Sequence, residues 1–273
     1  MNSVYNSFSI DGIAKSITEI AGVAPPLQSG FSLDILQSRA KKAFGGKNAD
    51  RVFIYNPDAI ALWLFQKYTE LFEGAVLRSD MWLPMLSIMP TVTPVCFASM
   101  YTGALPEIHG ISAYEKPVLK TDTVFDAYIR AGLKPAIVST AGDSISCIFL
   151  ERDMDYFIYE TQEDCNKKAL ELIAEDAHDL IVLYNPSYDN AMHRSGPESK
   201  AALAEIKNNV QAYTMFIDHI EKHWSTHRTM VGFCPDHGCH EIKAGLGSHG
   251  LDMPEDMNII HFYKFIGGTE GKV

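Results

Sequence analysis

The sequence predicts an α/β chain with a mostly parallel central sheet and helices on both of its faces. Three observations predict it. Short β-rich apolar runs alternate with longer amphipathic segments, the order that builds strand–helix–strand units. The run opening at Arg51, RVFIYNPDA, is β-rich and stops at a proline, as a strand buried on both faces does. No internal repeat, low-complexity tract or linker divides the chain, so its 273 residues read as one domain.

Taken in order, the first ~45 residues read as two short helices split by Pro25-Pro26 and closed by Gly45-Gly46. The strand at 51–56 follows, then an amphipathic segment over 59–71. A helix is expected from Thr93, with Pro94 suited to a first helical position and Gly103 to the helix end. Thr123–Ala131 reads as a helix closed by Gly132, and Lys134–Ser139 as a strand. Further strands are expected at 153–159, 179–184, 230–234 and 259–265, with helices at 166–176 and 200–223.

Composition narrows the partners. Hydrophobic residues make up 47% and charged residues 21%, the balance of a soluble globular protein. No apolar run reaches membrane-spanning length, and the N-terminus lacks the basic head and apolar stretch of a secretory signal. A net charge of −11 argues against a nucleic-acid scaffold as partner, because such proteins carry basic stripes. It does not argue against a small phosphorylated substrate, since bound cations reverse the local field. The five cysteines form no CxxC pair, so free thiols and a cytoplasmic location are expected. The oligomeric state leaves no mark on the sequence.

The polar residues then gather at strand ends. Asp58 follows the strand at 51–56, Asp189 and His193 follow 179–184, and Asp236 and His237 follow 230–234. Ligands of open α/β sheets collect beyond the carboxyl ends of strands. Asp189 and His193, four apart, share one face of a helical turn. His249 stands among glycines in GLGSHGLDM. Three Asp and three His divide into two sets of three, a mixed nitrogen and oxygen donor set that fits Zn²⁺ or Mn²⁺ better than Ca²⁺ or Mg²⁺. Thr93, read as a helix cap beside free backbone N–H groups, stands where a phosphate binds. A divalent cation on its Oγ would make it a nucleophile.

At these residues the chain resembles the alkaline phosphatase superfamily and, within it, the type I phosphodiesterase/nucleotide pyrophosphatase branch. The resemblance runs from about Arg51 to Phe265, with motifs in the family's order. Thr102-Gly103 places the nucleophile nine residues earlier, at Thr93. ALPEIHGI, DNAMHRSGP, PDHG and GSHGL are similar to the branch's remaining motifs. The resemblance implies an alkaline phosphatase-like catalytic domain, two divalent cations and a phospho-threonine intermediate. It implies one cation on Asp189, His193 and His249, and the other on Asp58, Asp236, His237 and the Thr93 oxygen. His109 matches a motif as part of a helix-to-loop turn, not as a ligand.

The chain departs from the branch at two positions. Cys96 stands where the branch has a substrate-binding Asn, and a thiol is a poor donor. Asp58 precedes Ala59 where the branch has Gly. The span 112–165 is the expected place for a small cap, and His240 and Lys243 are further candidate substrate contacts. The expected activity is a metal-dependent phosphodiesterase or phosphatase. The alternatives are phosphonate C–P hydrolysis, as in phosphonoacetate hydrolases, and a degenerate, non-catalytic metal-binding module.

Overall fold

The computed structural model describes residues 4–268. The chain opens with β1 (Phe8–Ser9), α1 (Ile13–Ala21) and α2 (Asp34–Ala43), then enters β2 (Arg51–Pro57). The amphipathic segment breaks into α3 (Leu62–Lys67) and α4 (Glu73–Arg78), joined by a 3₁₀ turn, and leads to β3 (Met81–Leu86). Next come α5 (Thr93–Thr102), the single turn α6 (Pro106–His109), α7 (Val124–Arg130), β4 (Pro135–Thr140), α8 (Ser144–Ile148) and β5 (Asp155–Tyr159). The second half runs α9 (Gln162–Glu175), β6 (Leu180–Asn185), α10 (Ser187–Ser195), α11 (Lys200–His223) and β7 (Thr229–Phe233). A hairpin of β8 (His240–Ile242) and β9 (Leu246–Ser248), the turn α12 (Pro254–Met257) and β10 (Asn258–Ile266) finish the chain.

Eight strands form one sheet in the order β1-β3-β10-β7-β2-β6-β4-β5. Only β10 runs against its neighbours, pairing antiparallel with both β3 and β7. The rest pair in parallel, so the mostly parallel sheet stands as expected. Side-chain alternation sends the central strands to two cores. Val52 and Ile54 of β2 and Val182 of β6 join the core under α1, α2, α5, α7 and α8. Phe53, Tyr55, Ile181 and Leu183 join the core under α3, α4, α9, α10 and α11. Both faces are therefore apolar and covered, which is why these strands read as continuous runs.

Local signals set most boundaries. Thr123 accepts from the Asp126 backbone N–H and Asp126 reaches back to the Thr123 N–H, a complete capping box at the start of α7. Two expectations change. The span 112–165, where a cap was expected, supplies β4, β5 and their flanking helices, so it is built into the main sheet. Strand β3 and the hairpin had no assignment: Pro84 interrupts the first, and the second is a short, exposed excursion. All five cysteines are free thiols, as expected. Among the described residues no helix is long and apolar enough to cross a membrane.

Candidate metal centre

Three adjacent strands of the parallel core, β7, β2 and β6, deliver the site at their carboxyl ends. Asp58 follows β2, and Asp236 and His237 follow β7. These three residues are at most 1% exposed. Their donor atoms converge: His237 Nε2 lies 3.3 Å from Asp58 Oδ1 and 3.5 Å from Asp236 Oδ2. After β6 the chain turns into α10, which carries Asp189 and His193 one turn apart. His193 Nε2 lies 3.2 Å from Asp189 Oδ1 and 3.1 Å from His249 Nε2. His249 Nε2 is 3.5 Å from the same Asp189 oxygen. The two triads predicted from sequence are thus the two groups that the fold assembles. They adjoin through the imidazoles of His237 and His249, stacked 4.1 Å apart.

The backbone fixes which nitrogen faces each centre. His193 Nδ1 donates to the Gly247 carbonyl at 3.1 Å, His237 Nδ1 to Gly238 at 2.9 Å, and His249 Nδ1 to Thr91 at 2.8 Å. A carbonyl accepts and cannot donate, so the neutral form of each ring carries its proton on Nδ1 and turns the Nε2 lone pair inward. Gly247 permits one of these contacts, because a Cβ there would fall 2.2 Å from Met192 Sδ of α10.

Each triad therefore collects acceptors with no donor among them. Asp58 Oδ1, Asp189 Oδ1 and Asp236 Oδ2 are buried without a hydrogen-bond partner. Burial and the Asp189 charge push the Asp58 carboxyl above its ordinary range; burial and Asp58 push Asp236 well above it. Burial and the neighbouring His237 hold His249 down at about 3, so it stays neutral. Such clusters are costly unless a cation occupies their centre. The residues present fit one divalent cation per triad.

Thr93 stands beside the inner triad. It is 4% exposed, donates toward Asp58 Oδ2 at 3.4 Å and lies 3.3 Å from His237 Nε2. The expectation that Thr93 caps its helix is corrected. Val92 is the N-cap, Thr93 is the first helical residue, and no side chain caps α5. Nor is the helix start rich in free N–H groups: Pro94 has none, and those of Val95 and Cys96 bond to the Val92 carbonyl. One register step thus turns the Thr93 hydroxyl from its own backbone to the donor cluster.

The candidate substrate contacts fare differently. Cys96 is fully buried, with Sγ 3.2 Å from Ser87 Oγ and 3.5 Å from the Ile88 carbonyl, so its thiol faces the loop between β3 and α5. His240 is paired through Nδ1 with Asp256 Oδ1 at 2.7 Å. Lys243 is exposed at the tip of the hairpin. His109 closes α6 as a turn residue: its Nδ1 accepts from Ile111 N–H and its Nε2 meets Ser99 Oγ at 2.9 Å.

Several supporting residues escaped the sequence. Tyr184 at the end of β6 donates to Asp58 Oδ2. Ser87 donates to the Asp236 carbonyl at 2.6 Å. Thr91 takes His249 Nδ1 on its carbonyl and the Gly250 N–H on its Oγ1. Tyr184 alone left a signal, as the last residue of the predicted strand 179–184. Ala59, next to Asp58, adopts φ +64°. That left-handed turn explains why the branch keeps Gly there.

A family model described as type I phosphodiesterase/nucleotide pyrophosphatase matches residues 74–139, the stretch holding Thr93 and the His109 turn. Human ectonucleotide pyrophosphatase/phosphodiesterase 5 superposes with a TM-score of 0.58 at 18% identity, over 71% of this chain and 58% of that one. The murine protein gives 0.57 at 19%, over 71% and 58%. An inactive threonine-to-alanine variant of the murine protein, in complex with AMP, gives 0.57 at 19%, over 71% and 59%. This chain spans less than two thirds of the length of these structures, and the likeness is one of fold. No curated protein matches the chain. The family match and the shared fold bear out the resemblance of this chain to the alkaline phosphatase superfamily, in its type I phosphodiesterase/nucleotide pyrophosphatase branch.

Proposed function

We propose that the chain is a two-cation phosphoric ester hydrolase, a phosphodiesterase or phosphatase, with Thr93 as nucleophile. One observation carries the reading: two acceptor-only triads meet beside a buried threonine hydroxyl, and three of their carboxylate oxygens lack any protein donor. Asp189, His193 and His249 would hold one cation; Asp58, Asp236, His237 and Thr93 Oγ would hold the other. Zn²⁺ suits the donor set best, with Mn²⁺ second. When bound, the pair supplies charge to lower the hydroxyl pKa of Thr93 and to offset the phosphoryl charge.

The remaining chemistry belongs to the chain. Asp58 Oδ2 holds the Thr93 hydroxyl proton on one side and leaves a lone pair of Oγ open toward a substrate. Thr93 Oγ attacks phosphorus as its proton passes to Asp58 Oδ2, the bond from phosphorus to the ester oxygen breaks, and the departing oxygen takes a proton from water, giving phospho-threonine. Water then breaks the phosphorus bond to Thr93 Oγ and regenerates the hydroxyl. The buried inner triad keeps bulk water from the nucleophile, while His193, with 41% of its side chain exposed, marks the open side. The AMP bound to the murine neighbour supports a small nucleotide-like substrate. Retention of all six donors supports an enzyme over a degenerate metal-binding module.

The test is turnover of aryl phosphate monoesters, diesters and phosphonates with Zn²⁺ and Mn²⁺, for the natural chain and Thr93→Ala. Turnover of a phosphate ester that Thr93→Ala loses is the expected result. A Thr93→Ala protein with undiminished turnover would remove the nucleophile assignment.

A further inference from the structure

Against the segments that carry the two triads lies a buried carboxylate that neither triad uses. Asp256, in α12, is 0% exposed. Its backbone carbonyl accepts from the Gly238 N–H at 2.7 Å, directly after the ligand His237. Its Oδ2 accepts from the Leu251 N–H at 2.9 Å, two residues after the ligand His249. Its Oδ1 accepts from His240 Nδ1 at 2.7 Å, at the start of β8. One residue thus grips the strand-end segment of the inner triad, the loop of the outer triad and the hairpin that joins them.

The packing at this point allows no slack. A Cβ on Gly238 would fall 2.1 Å from the Glu255 carbonyl and 3.1 Å from that of Asp256, so the Asp236-His237-Gly238 segment lies directly against α12. The carboxylate oxygens are met by the His240 imidazole and the Leu251 backbone N–H. A buried carboxylate held by two donors, one on the hairpin three residues after His237 and one two residues after His249, transmits displacement of one to the other.

We infer that Asp256 is a positioning residue that couples the two cation sites, setting His237 and His249 in register through Gly238, His240 and Leu251. The inference rests on the two-cation reading above. Losing the Asp256 carboxylate then weakens both sites together, whereas losing a ligand such as His193 weakens chiefly its own. Loss of a residue behind metal ligands typically costs about 10–100-fold in metal affinity.

The test has two arms. The first needs no metal: amide hydrogen exchange of the natural chain and Asp256→Ala, both in chelator. Exchange is expected to rise at 236–240 and at 249–252 together, while strands β2 and β6 keep their protection. Unchanged exchange at either segment overturns the inference. The second arm is Zn²⁺ titration by calorimetry. Asp256→Ala is expected to weaken both binding steps at least tenfold, and loss at one step alone overturns the coupling. Asp256→Asn guards against misfolding. Its amide oxygen still accepts from Leu251, and its NH₂ can donate to His240 Nδ1 once that ring carries its proton on Nε2. Asp256→Asn is therefore expected to stay within about threefold of natural affinity; a drop equal to that of Asp256→Ala overturns the hydrogen-bonding role. A natural chain that binds no Zn²⁺ would fell the two-cation reading, while the exchange arm would still decide whether Asp256 couples the segments.

Discussion

The two triads use the same residue types on very different ground. The inner one, Asp58, Asp236 and His237, sits on the ends of β2 and β7 and is essentially closed to solvent. It holds two carboxylates and lies within 3.3–3.4 Å of the Thr93 hydroxyl. The outer one hangs on α10 and on the loop after β9, has one carboxylate, and exposes 41% of the His193 side chain. Strand ends in a buried sheet fix side chains more tightly than hairpin loops do. The inner triad is thus suited to hold the nucleophile in place, and the outer to admit water and release product.

That contrast can be broken in stages. The largest effect should follow loss of the proposed nucleophile beside the inner triad: Thr93→Ala is expected to lower kcat by roughly 10³-fold or more. Natural-level turnover of an aryl phosphate ester would sink the assignment. Next, Asp58→Asn should leave an inner site that excess Zn²⁺ does not restore, whereas His193→Ala should recover part of its activity as Zn²⁺ is raised. Equal rescue of the two variants would erase the distinction. Chelator should then strip the two cations in order, with bound zinc falling from two equivalents to one before the second leaves. A single synchronous loss would show that exposure does not set the rates.

Smaller effects probe what lies under the inner triad. His261 Nε2 donates to the Pro235 carbonyl at 2.7 Å, immediately before Asp236, and burial holds its pKa down at about 4. The unfolded chain takes up this proton near the ordinary 6.5, the folded chain only near 4. His261 therefore costs stability as pH falls through that window, by on the order of 2–3 kcal/mol. In chelator, urea unfolding of His261→Gln at pH 7 and pH 4.5 should show a shallower loss than the natural chain; the same slope would contradict it. The smallest effect is expected at Ala59. Ala59→Gly relieves about 1–2 kcal/mol of left-handed strain but loses roughly 0.5–1 kcal/mol to backbone entropy and about 0.8 kcal/mol of buried methyl. Its stability should lie within about 1 kcal/mol of the natural chain, and a larger shift in either direction would show that this turn is held differently.

The same contrast explains what could be read from sequence. The central strands and α11 were legible because burial on both faces, or a long amphipathic stripe, leaves an uninterrupted pattern. Five of the six candidate ligands were legible because strand ends and the Asp189–His193 spacing are local features, and His249 was legible only through the GSHGL motif. What stayed hidden depends on contacts distant in sequence. Tyr184 reaches Asp58 across 126 residues, Thr91 reaches His249 across 158, and Ser87 reaches the Asp236 carbonyl across 149. The direction of a side chain was hidden too. A helix start one residue early sends Thr93 toward the donors, and helical packing turns Cys96 to Ser87 and Ile88. The strands at 134–139 and 153–159 were legible, but their place in the main sheet was not, because β5 is a short, half-exposed edge strand.

The most direct test is to catch the covalent intermediate. The protein, loaded with Zn²⁺, is mixed with an aryl phosphate ester, quenched in acid within one turnover, digested and analysed by mass spectrometry. A phosphate adduct on Thr93, absent from Thr93→Ala, is the expected result. Rapid turnover with no adduct on Thr93 at any quench time, or an adduct on another residue, would contradict it.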